Sequence, residues 1–200
     1  MDPLEVIAVV FGVVSVWLST REHIVAWPTA LVNTSLYAMI FWRAGIYANA
    51  GLQVIYFGLS VYGWYAWKLG GQGHTPLLVS RAHRNHWLLF APLAVAATVV
   101  LAVTLGRYTD AALPWLDSAT TSASLVAQWM LTRKILENWV IWIVADVVYI
   151  GMYLSQGLVL TAGLYAAFLV LATMGFFSWR ASLRAQTAAA AAAATAPVAA

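Results

Sequence analysis

Two stretches of equal length decide the fold: Trp27–Trp67, WPTALVNTSLYAMIFWRAGIYANAGLQVIYFGLSVYGWYAW, and Trp139–Trp179, WVIWIVADVVYIGMYLSQGLVLTAGLYAAFLVLATMGFFSW. Each begins and ends on tryptophan, and Trp139 lies 112 positions after Trp27. At that one offset, without gaps, Trp17 meets Trp129, Arg21 meets Arg133, Tyr37 meets Tyr149, Gly45 meets Gly157, Gly51 meets Gly163 and Gly63 meets Gly175. Leu, Val and Ala coincide by chance in an apolar chain. Trp, Gly and Arg in one register do not, so the chain carries an internal duplication.

The composition says where the duplication sits. The 200 residues are 63% hydrophobic and 8% charged, against about 25% charged in soluble domains. A membrane-spanning helix needs about 20 mostly apolar residues, and seven such runs can be read: Leu4–Ser19, Ile24–Trp42, Ala48–Leu69, His86–Gly106, Ser118–Thr132, Asn138–Leu154 and Leu158–Trp179. The N-terminal MDPLEV has no basic region before its apolar run, so the first run reads as a retained span and not a cleaved signal.

Assigning the loops alternately to two sides places Arg21, Lys68, Arg81, Arg84, Arg133, Lys134, Arg180 and Arg184 on one side and Arg43 and Arg107 on the other. Such a bias marks the cytoplasmic side. It predicts an N-terminus outside and a C-terminus in the cytoplasm, and it accounts for the net charge of +3 without nucleic acid. Changing the number of spans in mid-chain would scramble the segregation.

The repeat unit is three helices, and a fourth helix between the copies restores the orientation of the second. The copies are therefore parallel, related by an axis along the membrane normal. The predicted fold is all-α and integral to the membrane, with seven transmembrane helices in a 3+1+3 order. Residues 1–69 form the first triplet, 70–85 a cytoplasmic linker, 86–116 the connector helix and outer loop, 117–179 the second triplet, and 180–200 a disordered, Ala-rich tail. Gly45 and Gly157 fall in the outward turns, and Gly63 and Gly175 permit close helix contact.

On the sixth helix Trp139, Trp142, Asp146, Tyr149 and Tyr153 recur at steps of three and four, which puts them on one face, with Asn138 beside Trp142. Helix three presents Gln53, Tyr56, Ser60, Trp64 and Trp67 in the same way. Helix five presents Asp117, Thr121, Ser124 and Gln128, and helix two Tyr37 with Asn33. A carboxylate near the bilayer centre costs roughly 2.5–3.5 kcal/mol and faces a cavity or a partner, so Asp146 is expected inside the bundle. It is there either as a structural hydrogen-bonding group or as an acid that contacts substrate. Stacked Trp and Tyr around one acid suit a flat, cationic or polar ring.

Other groups have blander readings. Trp17, Trp42, Trp67, Trp87, Trp115 and Trp179 lie near helix ends, where tryptophan gathers at the lipid interface. Glu137 has Arg133 and Lys134 close by to pair with. Asn33, Gln53 and Gln128 are candidates for interhelical hydrogen bonds as well as for ligand contact. His23, His74, His83 and His86 lie in or beside loops without metal-ligand spacing, and absent cysteine excludes thiolate sites and disulfides. The sequence holds none of the hydrolase, zinc-protease or phosphate-loop motifs. No metal, cofactor or enzymatic reaction is expected.

With the repeat and the Asn-Trp-x-x-Trp motif at Asn138, Trp139 and Trp142, the chain resembles the PnuC family of bacterial vitamin transporters. The carrying stretches are Trp27–Trp67 and Thr120–Leu158, TTSASLVAQWMLTRKILENWVIWIVADVVYIGMYLSQGL. The resemblance implies a SWEET-like 3+1+3 fold, often trimeric, in the bacterial inner membrane. It implies import of nicotinamide riboside, or of thiamine or riboflavin in other members, by facilitated diffusion, with a cytoplasmic kinase preventing exit. It also implies alternating access between the triplets and a ligand at mid-membrane.

The Trp-Pro…Asn motif of the first half matches Trp27, Pro28 and Asn33, and the Gln-x-x-Tyr motif matches Gln53 and Tyr56. The substrate-binding set is then Asn33, Gln53, Tyr56, Asn138, Trp139, Trp142, Asp146 and Tyr149. Tyr37, Ser60, Thr121, Ser124, Gln128 and Tyr153 are further candidates. Where family members can have an amide on helix six this chain has Asp146, which suits a cationic pyridinium or thiazolium. A thiamine carrier, a non-transporting membrane receptor and proton coupling through Asp146 stay as alternatives.

Overall fold

The computed structural model describes residues 3–109 and 113–195. Their α-helices are α1 (Pro3–Thr20), α2 (Ala26–Arg43), α3 (Tyr47–Leu69), α4 (Arg84–Tyr108), α5 (Pro114–Thr132), α6 (Asn138–Ser155) and α7 (Val159–Thr195), with a short 3₁₀ turn at Gln72–His74. By length and composition alone α1, α4, α6 and α7 are able to cross a membrane. The remaining three are as long but carry more polar side chains. Helix α5 begins at Pro114, a turn earlier than the apolar run, because proline is pre-shaped for the first helical position.

Neighbouring helices pack as two triplets, α1–α2–α3 and α5–α6–α7, with α4 lying on α5. The triplets meet through α1 against α7 and α3 against α5. These two contacts are one contact seen twice, since α1 corresponds to α5 and α3 to α7.

The duplication is visible at atomic detail at the end of the bundle that holds Arg21, Lys68, Arg133 and Lys134. Trp27 and Trp67 meet edge to face at 5.1 Å, and Trp139 and Trp179 do so at 5.4 Å. The Trp67 Nε1–H donates to the Leu131 carbonyl at 3.0 Å, while the Trp179 Nε1–H donates to the Ser19 carbonyl at 3.0 Å. Donors and acceptors are both offset by one repeat, so each copy donates to the other. Crossed bonds at the same end of the molecule require a two-fold relation with parallel copies; inverted copies would put them at opposite ends. Two equivalent pairs touch each other and so straddle the axis: Trp67 with Trp179 at 5.8 Å, and Glu22 with Lys134 at 2.9 Å.

The turns obey the same rule. Gly45 and Gly157 both take positive φ, 75° and 73°, in the turns α2–α3 and α6–α7. Only glycine adopts this conformation without steric cost. Glu22 and Lys134 occupy the left-handed region at φ 55° and 49° in the turns at the opposite end. A Cβ on Gly63 would run into the Trp27 ring, and one on Gly175 into the Trp139 ring. The glycines thus admit the tryptophans between helices.

Three readings of the sequence change here. Trp67 and Trp179 are not interfacial: they are 3% and 0% exposed and form the core with Trp27 and Trp139, whereas Trp17, Trp42, Trp87 and Trp115 do lie on the surface. Glu137 pairs with Arg81 at 3.0 Å and accepts from the Ala82 N–H at 2.7 Å, because the linker and not the α5 terminus runs beside it. The Ala-rich stretch is helical through Thr195. Alanine has the strongest helix propensity, and here it extends an existing helix and so avoids the cost of nucleation. Residues 196–200 of the expected tail lie outside the described residues. In the first copy Gly70 and Gly71 stop α3 at the equivalent point, where a Cβ on either would meet backbone oxygen.

Valine in place of Gly63 or of Gly175 is expected to destabilise the protein by similar amounts, about 1–3 kcal/mol from overpacking. Gly58→Ala, in the interior of α3 where the added carbon meets open space, does not lower the melting temperature, since alanine favours the helix over glycine. Thermal unfolding in detergent measures all three.

Candidate functional site

The polar residues of the bundle separate into two groups at different depths. The first lies at the tryptophan end. Asn138, the first residue of α6, is fully buried and its Nδ2–H donates to the Ile135 carbonyl at 2.6 Å. Trp139 is sealed between Gly175 and Trp179. The Asn138 Oδ1, the Trp139 Nε1 and its repeat partner Trp27 Nε1 have no hydrogen-bond partner among the described residues. Trp142, a turn further along α6, is half-buried and packs on the edge of this core.

The second group lies deeper, where α3, α5, α6 and α7 converge. Asp146 is seven residues beyond Trp139, roughly 10 Å along the helix at 1.5 Å per residue. It is 4% exposed, and no described residue donates a hydrogen bond to its carboxylate. An ionised carboxylate buried without a partner is costly by several kcal/mol. Its repeat equivalent, Thr34, is buried too but has no such need, since its hydroxyl donates to the Ala30 and Leu31 carbonyls of its own helix.

Three tyrosines stand on the side of Asp146 away from the tryptophans. Tyr149 and Tyr153 of α6 have their rings stacked at 6.1 Å, and Tyr165 of α7 packs against both, at 4.7 Å and 5.2 Å. Tyr149 and Tyr165 both lie within electrostatic reach of Asp146, and Tyr149 also of Asp117. Across the junction of the triplets, the Tyr56 and Ser124 hydroxyls share a hydrogen bond of 2.6 Å that ties α3 to α5. Tyr56 in turn lies within electrostatic reach of Tyr149. The result is an aromatic enclosure with one acid and two hydroxyls at its edges. Such a set suits a planar cation: rings attract it by their faces and the acid supplies the opposite charge.

The structure brings together Tyr56, Ser124, Asp146, Tyr149 and Tyr153 of the residues selected from sequence. Gln53, Thr121 and Gln128 are half-buried on α3 and α5, with side chains that make no hydrogen bond to any described residue. Ser60 is buried and donates to the Tyr56 carbonyl of its own helix, which leaves it less free for a ligand. Tyr37 stacks on Phe41 at 5.5 Å in the first triplet. Of the two readings of Asn33, the interhelical bond is the one made here: its Nδ2–H donates to the Ala8 carbonyl at 2.7 Å, and it fills the space above Gly12. It holds α1 to α2 within one triplet. Asn138 and Trp139 likewise belong to the closed tryptophan end and not to the enclosure around Asp146. Tyr165 is the residue the sequence reading passed over, although it is the repeat partner of Gln53.

Two parallel helix triplets joined by a connector, with a buried acid beside aromatic rings of the second, form a helical membrane bundle. The chain belongs to the nicotinamide mononucleotide transporter family, whose model matches residues 2–181. It is 27% identical over 206 residues to the nicotinamide riboside transporter PnuC of Escherichia coli, covering 90% of this chain and 86% of that one. It is 24% identical over 173 residues to the riboflavin/roseoflavin transporter RibM of Streptomyces davaonensis, covering 85% of this chain and 81% of the relative. Among solved structures it matches the crystal structure of the vitamin B3 transporter PnuC with a TM-score of 0.69 and 25% identity, over 90% of this chain and 82% of that one. The resemblance to the PnuC family and the seven-helix fold both hold, and these relatives are transporters, not enzymes.

Phenylalanine at Tyr56 is expected to remove the bond to Ser124 at a cost of about 0.6 kcal/mol, the average for a hydrogen bond between membrane helices. The melting temperature in detergent falls slightly, and Ser124→Ala added to Tyr56→Phe lowers it no further.

Proposed function

We propose that this chain carries nicotinamide riboside across the bacterial inner membrane, binding it between the triplets in the enclosure of Tyr56, Asp146, Tyr149, Tyr153 and Tyr165. The observation that carries this reading is the buried, unpartnered carboxylate of Asp146 with tyrosine rings beside it. The pyridinium of nicotinamide riboside is a flat cation, and binding it gives the acid the partner the empty bundle lacks. Its ribose hydroxyls find acceptors and donors at Tyr56, Ser124 and Thr121. Riboflavin, named for one relative, carries no positive charge and makes no use of the acid. The thiazolium of thiamine does use it, so thiamine is the competing substrate.

The excess of Arg and Lys at the tryptophan end supports an orientation with that end in the cytoplasm and the N-terminus outside. Transport is facilitated diffusion, in which the triplets rock about the site and a cytoplasmic kinase phosphorylates the product of import so that it cannot leave. The transporter assembles as a homotrimer, as the family resemblance implies.

Purified protein in sealed liposomes is expected to equilibrate labelled nicotinamide riboside without ATP or an ion gradient, and with no effect of an uncoupler. Thiamine flux in the absence of nicotinamide riboside flux transfers the assignment to thiamine. Binding without any flux makes the protein a receptor.

Asp146→Asn is expected to lower uptake about tenfold, the loss of a charge-assisted contact of roughly 1.5 kcal/mol, with the protein still inserted and assembled. Uptake equal to the wild type makes Asp146 a structural residue.

A further inference from the structure

We infer that Glu22 and Lys134 form a lock on the pseudo-two-fold axis that closes the tryptophan end of the transport path and must part for solute to pass. The inference rests on the transporter reading but not on the identity of the solute. The Lys134 Nζ donates to the Glu22 Oε2 at 2.9 Å, and these residues occupy equivalent places in the two repeats. Equivalent residues meet only on the axis, and the axis is the line along which two parallel triplets separate. Rocking the triplets apart at this end must therefore pull this pair apart.

The surroundings fit a closure and not an incidental surface pair. Lys134 is buried, and its ammonium also lies over the Trp67 ring at 4.7 Å. Behind the pair Trp67 and Trp179 meet across the axis, and their indole N–H groups donate to the opposite triplet. In front of it a cavity of about 350 Å³, lined by Glu22, Trp67, Lys68, Pro76 and Lys134 among others, opens at the basic end. Solute on its way from Asp146 thus meets the tryptophans, then the ion pair, then this opening.

The lock is asymmetric in how it is held. The Ser80 N–H donates to the Lys134 carbonyl at 3.0 Å, and the Ser80 carbonyl accepts from Leu136 at 2.9 Å. Arg81 and Ala82 bind Glu137. The linker therefore straps the turn that bears Lys134, and the turn that bears Glu22 has no such strap among the described residues.

The absence of cysteine from the chain allows a direct test. In the Glu22→Cys, Lys134→Cys double variant, a short bifunctional methanethiosulfonate, which spans the gap the two long side chains fill, is expected to crosslink the two turns and reduce solute flux to that of protein-free liposomes, and reductant restores it. Each single variant is indifferent to the crosslinker. A crosslinked protein that transports like the reduced one overturns the lock.

A second arm needs no substrate. In a Ser124→Cys background, a membrane-impermeant thiol reagent applied from the tryptophan end is expected to label several-fold faster when Glu22→Gln and Lys134→Gln are both present, and an unchanged rate overturns the proposal. Because the pair lies on an axis its members are interchangeable, so Glu22→Lys with Lys134→Glu restores slow labelling, the new ammonium taking Trp179 in place of Trp67. Failure of the wild type to move nicotinamide riboside removes the substrate assignment and leaves the labelling result to decide the lock.

Discussion

The crossed indole bonds, Trp67 to Leu131 and Trp179 to Ser19, are the constraint on which the rest of the molecule depends. In a bilayer no hydrophobic force drives helices together, since lipid tails are as apolar as leucine, and association falls to packing and interhelical hydrogen bonds. Each triplet offers an indole donor and takes the other's in return, so in this conformation the two are joined by a symmetric pair of bonds that both give way if the triplets part at this end. The glycines opposite Trp27 and Trp139 let these rings sink between the helices. With one end so joined, the deeper part of the interface is held by far less: the hydrogen bond between the Tyr56 and Ser124 hydroxyls. Nearby stands an acid to which no described residue donates.

The order of the fold was written in the register of the repeat. Tryptophan and glycine matched at one offset because they meet each other in space, and the offset that aligns Trp27 with Trp139 also aligns the crossed bonds and the two left-handed turns. What the pattern did not reveal was which surface each tryptophan faces. Trp67 and Trp179 sit near helix ends, as interfacial anchors do, and position along a helix says nothing of direction around it once neighbouring helices are unknown. Pairing at the repeat offset did not separate the two cases, since Trp17 pairs with Trp129 at that offset and lies on the surface.

The site was legible only in part, for related reasons. Asp146 stood out because charge in an apolar run is expensive, and burial followed. Asn33 looked the same on paper, but an amide satisfies itself against a neighbouring backbone carbonyl, here that of Ala8, and a short motif cannot say which neighbour is nearest. Tyr165 escaped because an aromatic in an apolar helix carries no cost that demands explanation. Glu137 was assigned to the cations closest in sequence, whereas the linker brings Arg81 from far along the chain.

A symmetric frame around an asymmetric site has a physical rationale. Positions related by the axis share a backbone arrangement but not a side chain: Thr34 corresponds to Asp146, Gln53 to Tyr165 and Tyr56 to Phe168, while Tyr37 and Tyr149 alone repeat. Two acids at the equivalent positions would repel across a medium of low dielectric, where like charges are far costlier than in water. They would also overmatch a solute with one positive charge. With threonine in the first copy, its hydroxyl spent on its own helix, the enclosure presents a single unneutralised group. On the proposed reading, a solute with one flat cationic ring and hydroxyls elsewhere sets its ring against Asp146 and the tyrosines of α6 and α7 and its hydroxyls at the junction of α3 and α5, where Tyr56 meets Ser124. The frame supplies two equivalent bodies, and the broken equivalence at a few positions confines the charge to one of them.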